Sequence, residues 1–531
     1  MALVLIGPPT AGKTSVGEMV AKRLGRPFVD IDQAVERATG RSVAQVFTEW
    51  GEAGFRAVES AAAVRALGNG NAVVSLGGGA VMQRSVRESL PGHEVVWLDV
   101  EPSEAALRAS ATPGQRPLLG DDPAGRIASL MEERRATYAS VATLRVDTTF
   151  LTTFEVAGEV VSLTSDPPVV FATERPYHAF VGHGSIARLA PLMAGAERVG
   201  IISSSALSHV AQRVSDEAVA SGAKPFLIEV PVGEAAKTAA VVASCWNQLA
   251  EWGFTRTDLV IGIGGGATTD MAGFVAASYL RGIAWLAVST SVLGMVDAAI
   301  GGKTGIDIPQ GKNLVGAFHE PRAVIADLVT LTTLPQREVR SGLAEAIKEG
   351  FTDDAAILDL VEASPDDVLD VNSARLAEII TRAVQVKAVV VAGDLRERTT
   401  TGATVGRERL NYGHTLGHAI EAQENFEMRH GEAVAIGCVF AAEVAHRLVG
   451  LPREVVDRHR AVFSSVGLPV SYSGALWDDL RTRMSRDKKT RGSSLRMVLL
   501  RGLGDVVVVK DPPEDVLRAA FEALAETSHQ G

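Results

Sequence analysis

The sequence predicts an α/β protein of successive domains, a parallel-sheet layer, a second such layer and a mainly helical region, and three observations predict it. The chain has 531 residues, more than one ordinary hydrophobic core accommodates. Short apolar runs ending on glycine or acidic residues recur between helix-length stretches, which is the pattern of buried parallel strands. Two glycine triplets, Gly77-Gly78-Gly79 and Gly264-Gly265-Gly266, each follow such a run but share no flanking sequence. They mark unrelated turns in different domains and not an internal repeat.

In order along the chain, the runs 2–6, 72–76 and 95–98 read as strands of a first α/β domain over residues 1–165. The opening run lacks a basic flank and leads straight into a glycine loop, so it reads as a first strand and not as a signal peptide. Ser165-Asp166-Pro167-Pro168 cannot continue a helix and sets a boundary. Residues 169–333 form the second α/β layer, with strands at 199–202, 225–230 and 259–263. From residue 334 to 531, Ala-rich segments around Glu345, Lys387, His414 and Val434 carry apolar residues at helical spacing, so this part reads as mainly α.

Composition narrows the function classes. Hydrophobic residues make up 46% and aromatics 5%, as in a soluble globular protein, and no apolar run reaches the roughly 18 residues of a membrane span. A net charge of −11 gives no basic field for nucleic acid or anionic lipid, so the expected partners are small molecules, and anionic ones need local basic pockets. Cys245 and Cys438 are the only cysteines. They cannot build a disulfide framework and fit a reducing cytoplasm.

Gly7-Pro8-Pro9-Thr10-Ala11-Gly12-Lys13-Thr14 fits the P-loop pattern between a predicted strand and a predicted helix. Its amides would cradle phosphates, Lys13 would balance charge on them and Thr14 would ligate Mg²⁺. Asp30-Ile31-Asp32, Gly54-Phe55-Arg56, Gly77-Gly78-Gly79, Arg116-Pro117-Leu118-Leu119 and Arg134 before Tyr138 follow. Together these motifs resemble shikimate kinase over the whole domain. The resemblance implies ATP with Mg²⁺ at Gly12, Lys13, Thr14, Asp30 and Arg116, and shikimate at Asp32, Arg56, Gly77, Gly78, Gly79 and Arg134. It also implies that Asp32 accepts the hydroxyl proton, with Lys13 and Arg116 acting on the transferring phosphoryl group. Guanidinium forks suit the carboxylate of such a substrate. Residues 109–122 read as a lid. Thr10 departs from the family, which usually has Gly there, and a β-branched residue resists positive φ.

Gly262-Ile263-Gly264-Gly265-Gly266 closes another predicted strand and precedes a predicted helix, a turn able to face a pyrophosphate or simply to pack tightly. His414 and His418 stand at i and i+4 on one helix face, the first ligand pair that spacing suggests. Further motifs are Tyr279-Leu280-Arg281-Gly282, Met295-Val296-Asp297, Gly301-Gly302-Lys303-Thr304, Gly311-Lys312-Asn313, Ala344-Glu345-Ala346-Ile347-Lys348 and Asn411 to His418. From 169 to 500 the chain resembles 3-dehydroquinate synthase, which implies a Rossmann-like NAD-binding layer and a helical metal-binding domain.

That resemblance reassigns the metal, zinc or cobalt, to Glu345, His414 and His430, and places His418 beside the substrate as a proton-transfer group. It assigns NAD to Glu234, Lys237, Gly264, Gly265, Gly266, Asp270, Thr290, Ser291 and Lys312. 3-Deoxy-D-arabino-heptulosonate 7-phosphate falls to Arg281, Asp297, Lys303, Asn313, Lys348, Lys387, Arg407, Asn411 and Lys488 or its neighbour Lys489. Lys303 counts also among the catalytic groups. Ala403 stands where the family has an acidic residue four positions before Arg407, within an apparent insertion over 399–406, and Glu397 takes that role across it. A homodimer through the synthase half is implied.

The resulting expectation is a bifunctional enzyme. It phosphorylates shikimate to shikimate 3-phosphate and converts the heptulosonate phosphate to 3-dehydroquinate and phosphate, with NAD reduced and reoxidised in each cycle. A nucleotide-binding regulator fused to a metal-dependent polyol dehydrogenase is the rival. Asp30, Asp32, Arg56 and Arg134 in the first half, and the lysine set in the second, argue against it.

Overall fold

The chain divides into two units, Met1–Asp166 and Pro167–Gly531, and the structure, a computed structural model, describes residues 1–110, 123–165, 167–394, 405–486 and 494–525. In the first unit β1 (Leu3–Ile6), β2 (Phe28–Asp30), β3 (Val73–Ser75), β4 (Glu94–Asp99) and β5 (Leu144–Asp147) form a parallel sheet in the order β2-β3-β1-β4-β5. Every residue of β1 and β3 is buried, which is why these strands read as unbroken apolar runs and not as alternating ones. The chain runs from β1 out to β2, back to β3, then across β1 to β4. This reversal opens a crevice at the carboxyl ends of the strands, where ligands of such sheets bind.

The helix Lys13–Leu24 starts in that crevice behind Gly12 at φ 85°, a conformation glycine adopts without strain. Thr10 also stands at positive φ, 72°, despite its branched Cβ. Its Oγ1 donates to the Ala105 carbonyl at 2.9 Å, a tether that holds the loop there. The helix Ile31–Thr39 is capped by Asp30, whose carboxylate accepts from the Asp32 and Gln33 amides at 3.0 and 3.2 Å.

The second unit carries β6 (Val169–Phe171), β7 (Tyr177–Gly182), β8 (Arg198–Ser203), β9 (Lys224–Glu229), β10 (Leu259–Gly264) and β11 (Ala284–Ser289). After an antiparallel hairpin of β12 (Lys303–Ile308) and β13 (Gly311–Phe318) comes β14 (Ala323–Asp327). The seven-stranded sheet runs β6-β7-β14-β11-β10-β8-β9, parallel except where β6 opposes β7. The chain leaves β8 toward the β9 edge and re-enters on the other side of β8 as β10, so a second crevice opens beside the glycine triplet.

The helix Gln336–Thr352 is buried continuously from Ser341 to Thr352, and in the helix His430–Leu448 every residue from Ala433 to Ala445 is buried. Both stretches are enclosed on all sides because they form the centre of the domain, and the few charged groups they carry there, Glu345, Lys348, Glu349 and Glu443, are buried with them. The region from residue 334 is mainly helical but also holds an antiparallel pair, β15 (Arg496–Gly502) and β16 (Asp505–Lys510). Four consecutive valines from Val506 to Val509 on β16 favour strand over helix, a signal that the helical expectation overlooks. Among the described residues no helix is long and apolar enough to cross a membrane, and both cysteines are free and buried.

The helix His430–Leu448 approaches backbone on two sides, the helix Gln336–Thr352 and the turn before the helix His414–Gln423, more closely than a side chain allows. A Cβ on Gly437 would lie 2.0 Å from the Gly413 carbonyl oxygen, and one on Gly431 1.8 Å from that of Ser341. Gly437→Ala is therefore expected to destabilise the second unit by about 1–3 kcal/mol or more, read as a lower midpoint of its unfolding transition, with the first unit's transition unmoved. An unchanged midpoint would contradict the packing described.

Two candidate active sites

The first site is a cavity of about 310 Å³ at the carboxyl ends of β1, β2 and β3. The loop brings Thr14 to Asp30, with Thr14 Oγ1 donating to Asp30 Oδ2 at 2.8 Å. Lys13 folds over its own loop, its Nζ donating to the Gly7 and Pro8 carbonyls at 2.9 and 2.8 Å. Asp32 lies in the first turn of the next helix and lines the same cavity. Burial, reinforced by Asp30, raises its pKa against the pull of Lys13 and Arg56, which makes its carboxylate the more basic.

Two guanidiniums share the cavity with these groups. Arg56 is clamped by Glu59 at 2.7 Å, and Arg134 donates to the Gly78 carbonyl at 3.0 Å, as does the Tyr138 hydroxyl at 2.6 Å. Glycine lets the two charged groups come close to the backbone here, since a Cβ on Gly79 would sit 2.6 Å from the Arg56 nitrogens and one on Gly77 2.3 Å from Glu59 Oε1, and either group would have to shift. Glu59 is the residue the motifs missed. Its place one turn after Arg56 was the available signal. Arg116 lies outside the described residues.

The second site grows from Glu345, on the helix Gln336–Thr352 with its side chain 1% exposed. One carboxylate oxygen, Oε2, takes Lys348 Nζ, which also donates to the Leu410 carbonyl at 2.7 Å. The other, Oε1, faces His414 Nε2 at 3.5 Å and His430 Nε2 at 3.3 Å and accepts no hydrogen bond. The three donor atoms lie within 4.8 Å of one another. A buried, unsatisfied oxygen between two imidazole nitrogens is the environment a divalent cation completes, and one carboxylate with two imidazoles leaves coordination positions open.

His414 thus pairs with Glu345 and His430 and not, as helical spacing suggests, with His418. His418 is exposed, 5.2 Å from His414 ring to ring, and groups with Glu421 and His430. Glu421 is a second carboxylate absent from the sequence-derived set.

Ionisation is strongly split. Burial would raise Glu345, but Lys348, His414 and His430 hold it well below the carboxylate range. Burial, with Lys348 adding, lowers His414 to about 3, although Glu345 opposes. Burial would also lower His430, yet Glu345 and Glu421 lift it to about 10.

Around this cluster the remaining residues arrange as ion pairs. Lys387 Nζ donates to the Asp297 carbonyl at 2.6 Å and to its carboxylate; burial opposes, but Lys387 brings Asp297 down to about 2. Lys237 joins Asp270 at 2.7 Å and also Asn313, while Lys312 joins Glu234 at 2.9 Å. Asp297 senses the charge of Glu345, and Asp270 that of Asp297. The pairs beside the glycine turn therefore run on into the candidate metal cluster. Buried Arg407 and partly buried Asn411 bound the turn preceding His414, and Thr290 donates its amide to the Gly264 carbonyl at 3.0 Å. Ser291 Oγ accepts from the Gly294 amide at 3.1 Å. Arg281 and Lys303 are exposed. Glu397 and Lys488 lie outside the described residues, with Lys489 and most of the 399–406 insertion.

Both units resemble known protein families. The family model for shikimate kinase matches residues 9–164. Those for the 3-dehydroquinate synthase N-terminal and C-terminal regions match 227–341 and 342–490. A 3-dehydroquinate synthase of Cutibacterium acnes is 51% identical over 67% of this chain and 98% of its own length. One of Streptomyces coelicolor is 47% identical over 67% and 96%. A solved 2-epi-5-epi-valiolone synthase of Streptomyces hygroscopicus, with NAD⁺ and Zn²⁺ bound, superposes with a TM-score of 0.61 at 27% identity, covering 67% of this chain and 98% of that one.

The split between the two imidazoles has a measurable consequence. Near neutral pH the metal-free protein holds His430 protonated and His414 neutral, so a divalent cation binding both Nε2 atoms displaces one proton. Calorimetric titration with Zn²⁺ in buffers of differing ionisation enthalpy should report about one proton released per ion. Release near zero would contradict a protonated His430 at the metal position.

Proposed function

Since the chain belongs to the 3-dehydroquinate synthase family and carries a shikimate kinase domain at its N-terminal end, we propose that the residues above perform those two reactions at separate sites. In the first unit ATP lies with its phosphates on the P-loop and the N-terminus of the Lys13–Leu24 helix. Thr14 and Asp30 would hold Mg²⁺, a reading supported by their contact at 2.8 Å beside the P-loop. Arg56 and Arg134 grip the shikimate carboxylate. Asp32 takes the proton of the attacking hydroxyl while Lys13, released from its own loop carbonyls, meets the charge that develops on the transferring group.

In the second unit the zinc or cobalt ligands are Glu345, His414 and His430. The observation that carries the reading is the buried, unmatched Glu345 oxygen between the two imidazoles. NAD lies over the glycine turn. There a Cβ on Gly266 would strike Ala298 at 2.7 Å and one on Gly265 would come within 3.1 Å of Ser291 Oγ, so backbone alone forms the cradle. The NAD-bearing side is completed by Glu234, Lys237, Asp270, Thr290, Ser291 and Lys312. When bound, the metal supplies Lewis acidity and NAD a reversible hydride acceptor.

The chain's own groups do the rest. Lys348, Lys387 and Arg407 hold the substrate's phosphate and carboxylate, aided by the exposed Arg281 and Lys303 and by Lys488. Asp297, kept ionised by Lys387, and Asn313 and Asn411 orient the hydroxyls. His418, exposed beside the cluster, exchanges protons with the substrate as phosphate leaves. Half-identity to synthases over the whole second unit favours this reading over a polyol dehydrogenase. A cytoplasmic setting fits the free cysteines, and a homodimer through the second unit fits the apolar Leu314 and Phe318 exposed on β13.

Both activities can be followed in the intact chain, by ADP formation with shikimate and by phosphate release from the heptulosonate phosphate. Lys13→Ala should lower the first by about 10²–10³-fold, the range for losing one transition-state donor, and spare the second. His430→Ala should do the reverse. A folded variant that lost both activities would refute two independent sites.

A further inference from the structure

We propose that Glu421 is a positioning residue for the metal ligand His430, fixing which ring nitrogen meets the metal and setting how tightly it is held. The inference rests on the metal site proposed above. Glu421 stands two turns after His414 and one after His418 on the helix His414–Gln423, so the three side chains share a face. His430 opens the facing helix. Its imidazole is pinned from both sides, Nε2 lying 3.3 Å from Glu345 Oε1 and Nδ1 3.2 Å from Glu421 Oε2. With Glu421 accepting from Nδ1–H, the lone pair is left on Nε2, the nitrogen that faces Glu345 and His414.

The two imidazole ligands are therefore unequal. His414 Nδ1 lies 3.1 Å from the carbonyl of Tyr412, a neutral acceptor fixed by a buried residue. His430 leans on a carboxylate whose side chain is 14% exposed. A charged partner makes an imidazole the more basic and better-oriented donor, and loss of such outer carboxylates commonly costs about 10–100-fold in metal affinity. His430 is thus the ligand whose strength depends on a group outside the coordination sphere.

Glu421 also lies within ligand distance of His418 and His430, which raises a second use, as a direct ligand of another cation. That use requires His430 to bind metal through both nitrogens at once and so to lose both ring protons. A single Nδ1–H donated to Glu421 needs no such loss, and the geometry favours it.

The test measures Zn²⁺ affinity of the full-length protein by competition with a chromophoric chelator, independently of turnover, in wild type, Glu421→Ala, Glu421→Gln and His430→Ala. NAD binding by each variant checks that the second unit is folded. Glu421→Ala should weaken Zn²⁺ by about 10–100-fold. Glu421→Gln, which keeps an acceptor but not the charge, should fall between it and wild type. Wild-type affinity in both Glu421 variants, with loss in His430→Ala, would overturn the positioning role and leave the metal site standing. Wild-type affinity in His430→Ala as well would overturn the metal site itself. A second zinc bound by wild type and lost in Glu421→Ala would overturn positioning in favour of direct ligation.

Discussion

Burying the carboxylate of Glu345 is the constraint on which the second unit's architecture turns. An ionised carboxylate in the interior is tolerated only when charge and hydrogen bonds replace the water it loses. Here Lys348, one turn along the same helix, supplies charge and a hydrogen bond to one oxygen, and His430 supplies charge beside the other, which His414 also faces. Lys348 reaches further, to the Leu410 carbonyl, so the turn before His414 is tied to the same point. The helices can converge only because Gly431 and Gly437 let the helix His430–Leu448 rest directly on neighbouring backbone. Packing and chemistry are thus one arrangement, in which the contacts that bring the helices together also bring the ligands together.

A comparable economy governs charge across both sites. The protein is acidic overall yet acts on anions, and five of its site cations are matched to a carboxylate: Arg56 to Glu59, Lys237 to Asp270, Lys312 to Glu234, Lys348 to Glu345 and Lys387 to Asp297. Pairs of this kind contribute little net stability when buried, because desolvation offsets attraction. Their effect is geometric. They hold long, flexible side chains extended toward the crevice and keep several cations close without mutual repulsion, so an arriving phosphate or carboxylate finds charge already placed.

How much of this is legible in the sequence depends on range. The P-loop, the strands of both parallel layers and the boundary near Pro167 are local features, set by residues within one turn or one strand, and the chain states them directly. The metal set is not local. Spacing on a helix puts His418 beside His414, but selection of Glu345 and His430 depends on which helices pack across, and only the family resemblance supplied that. Glu421 and Glu59 stayed hidden because a carboxylate on a helix looks like a solvated surface charge until the packing partner is known. The pair β15 and β16 was lost inside an expectation of helix, although the valine run argued otherwise. Thr10 shows the converse. Its branched Cβ correctly flagged an unusual loop position, and a tertiary contact to Ala105 holds the conformation that local preference disfavours.

The fusion follows the same division. Each sheet belongs to one unit, each apolar core draws on residues of one unit, and each described site is assembled from residues on one side of Asp166. The two reactions also share no intermediate: one makes a carbocycle from a heptulosonate phosphate, and the other phosphorylates an acid that appears only after further steps. A tunnel between them would therefore have nothing to carry. What covalent linkage does secure is fixed stoichiometry, one kinase for each synthase, in a route that both serve.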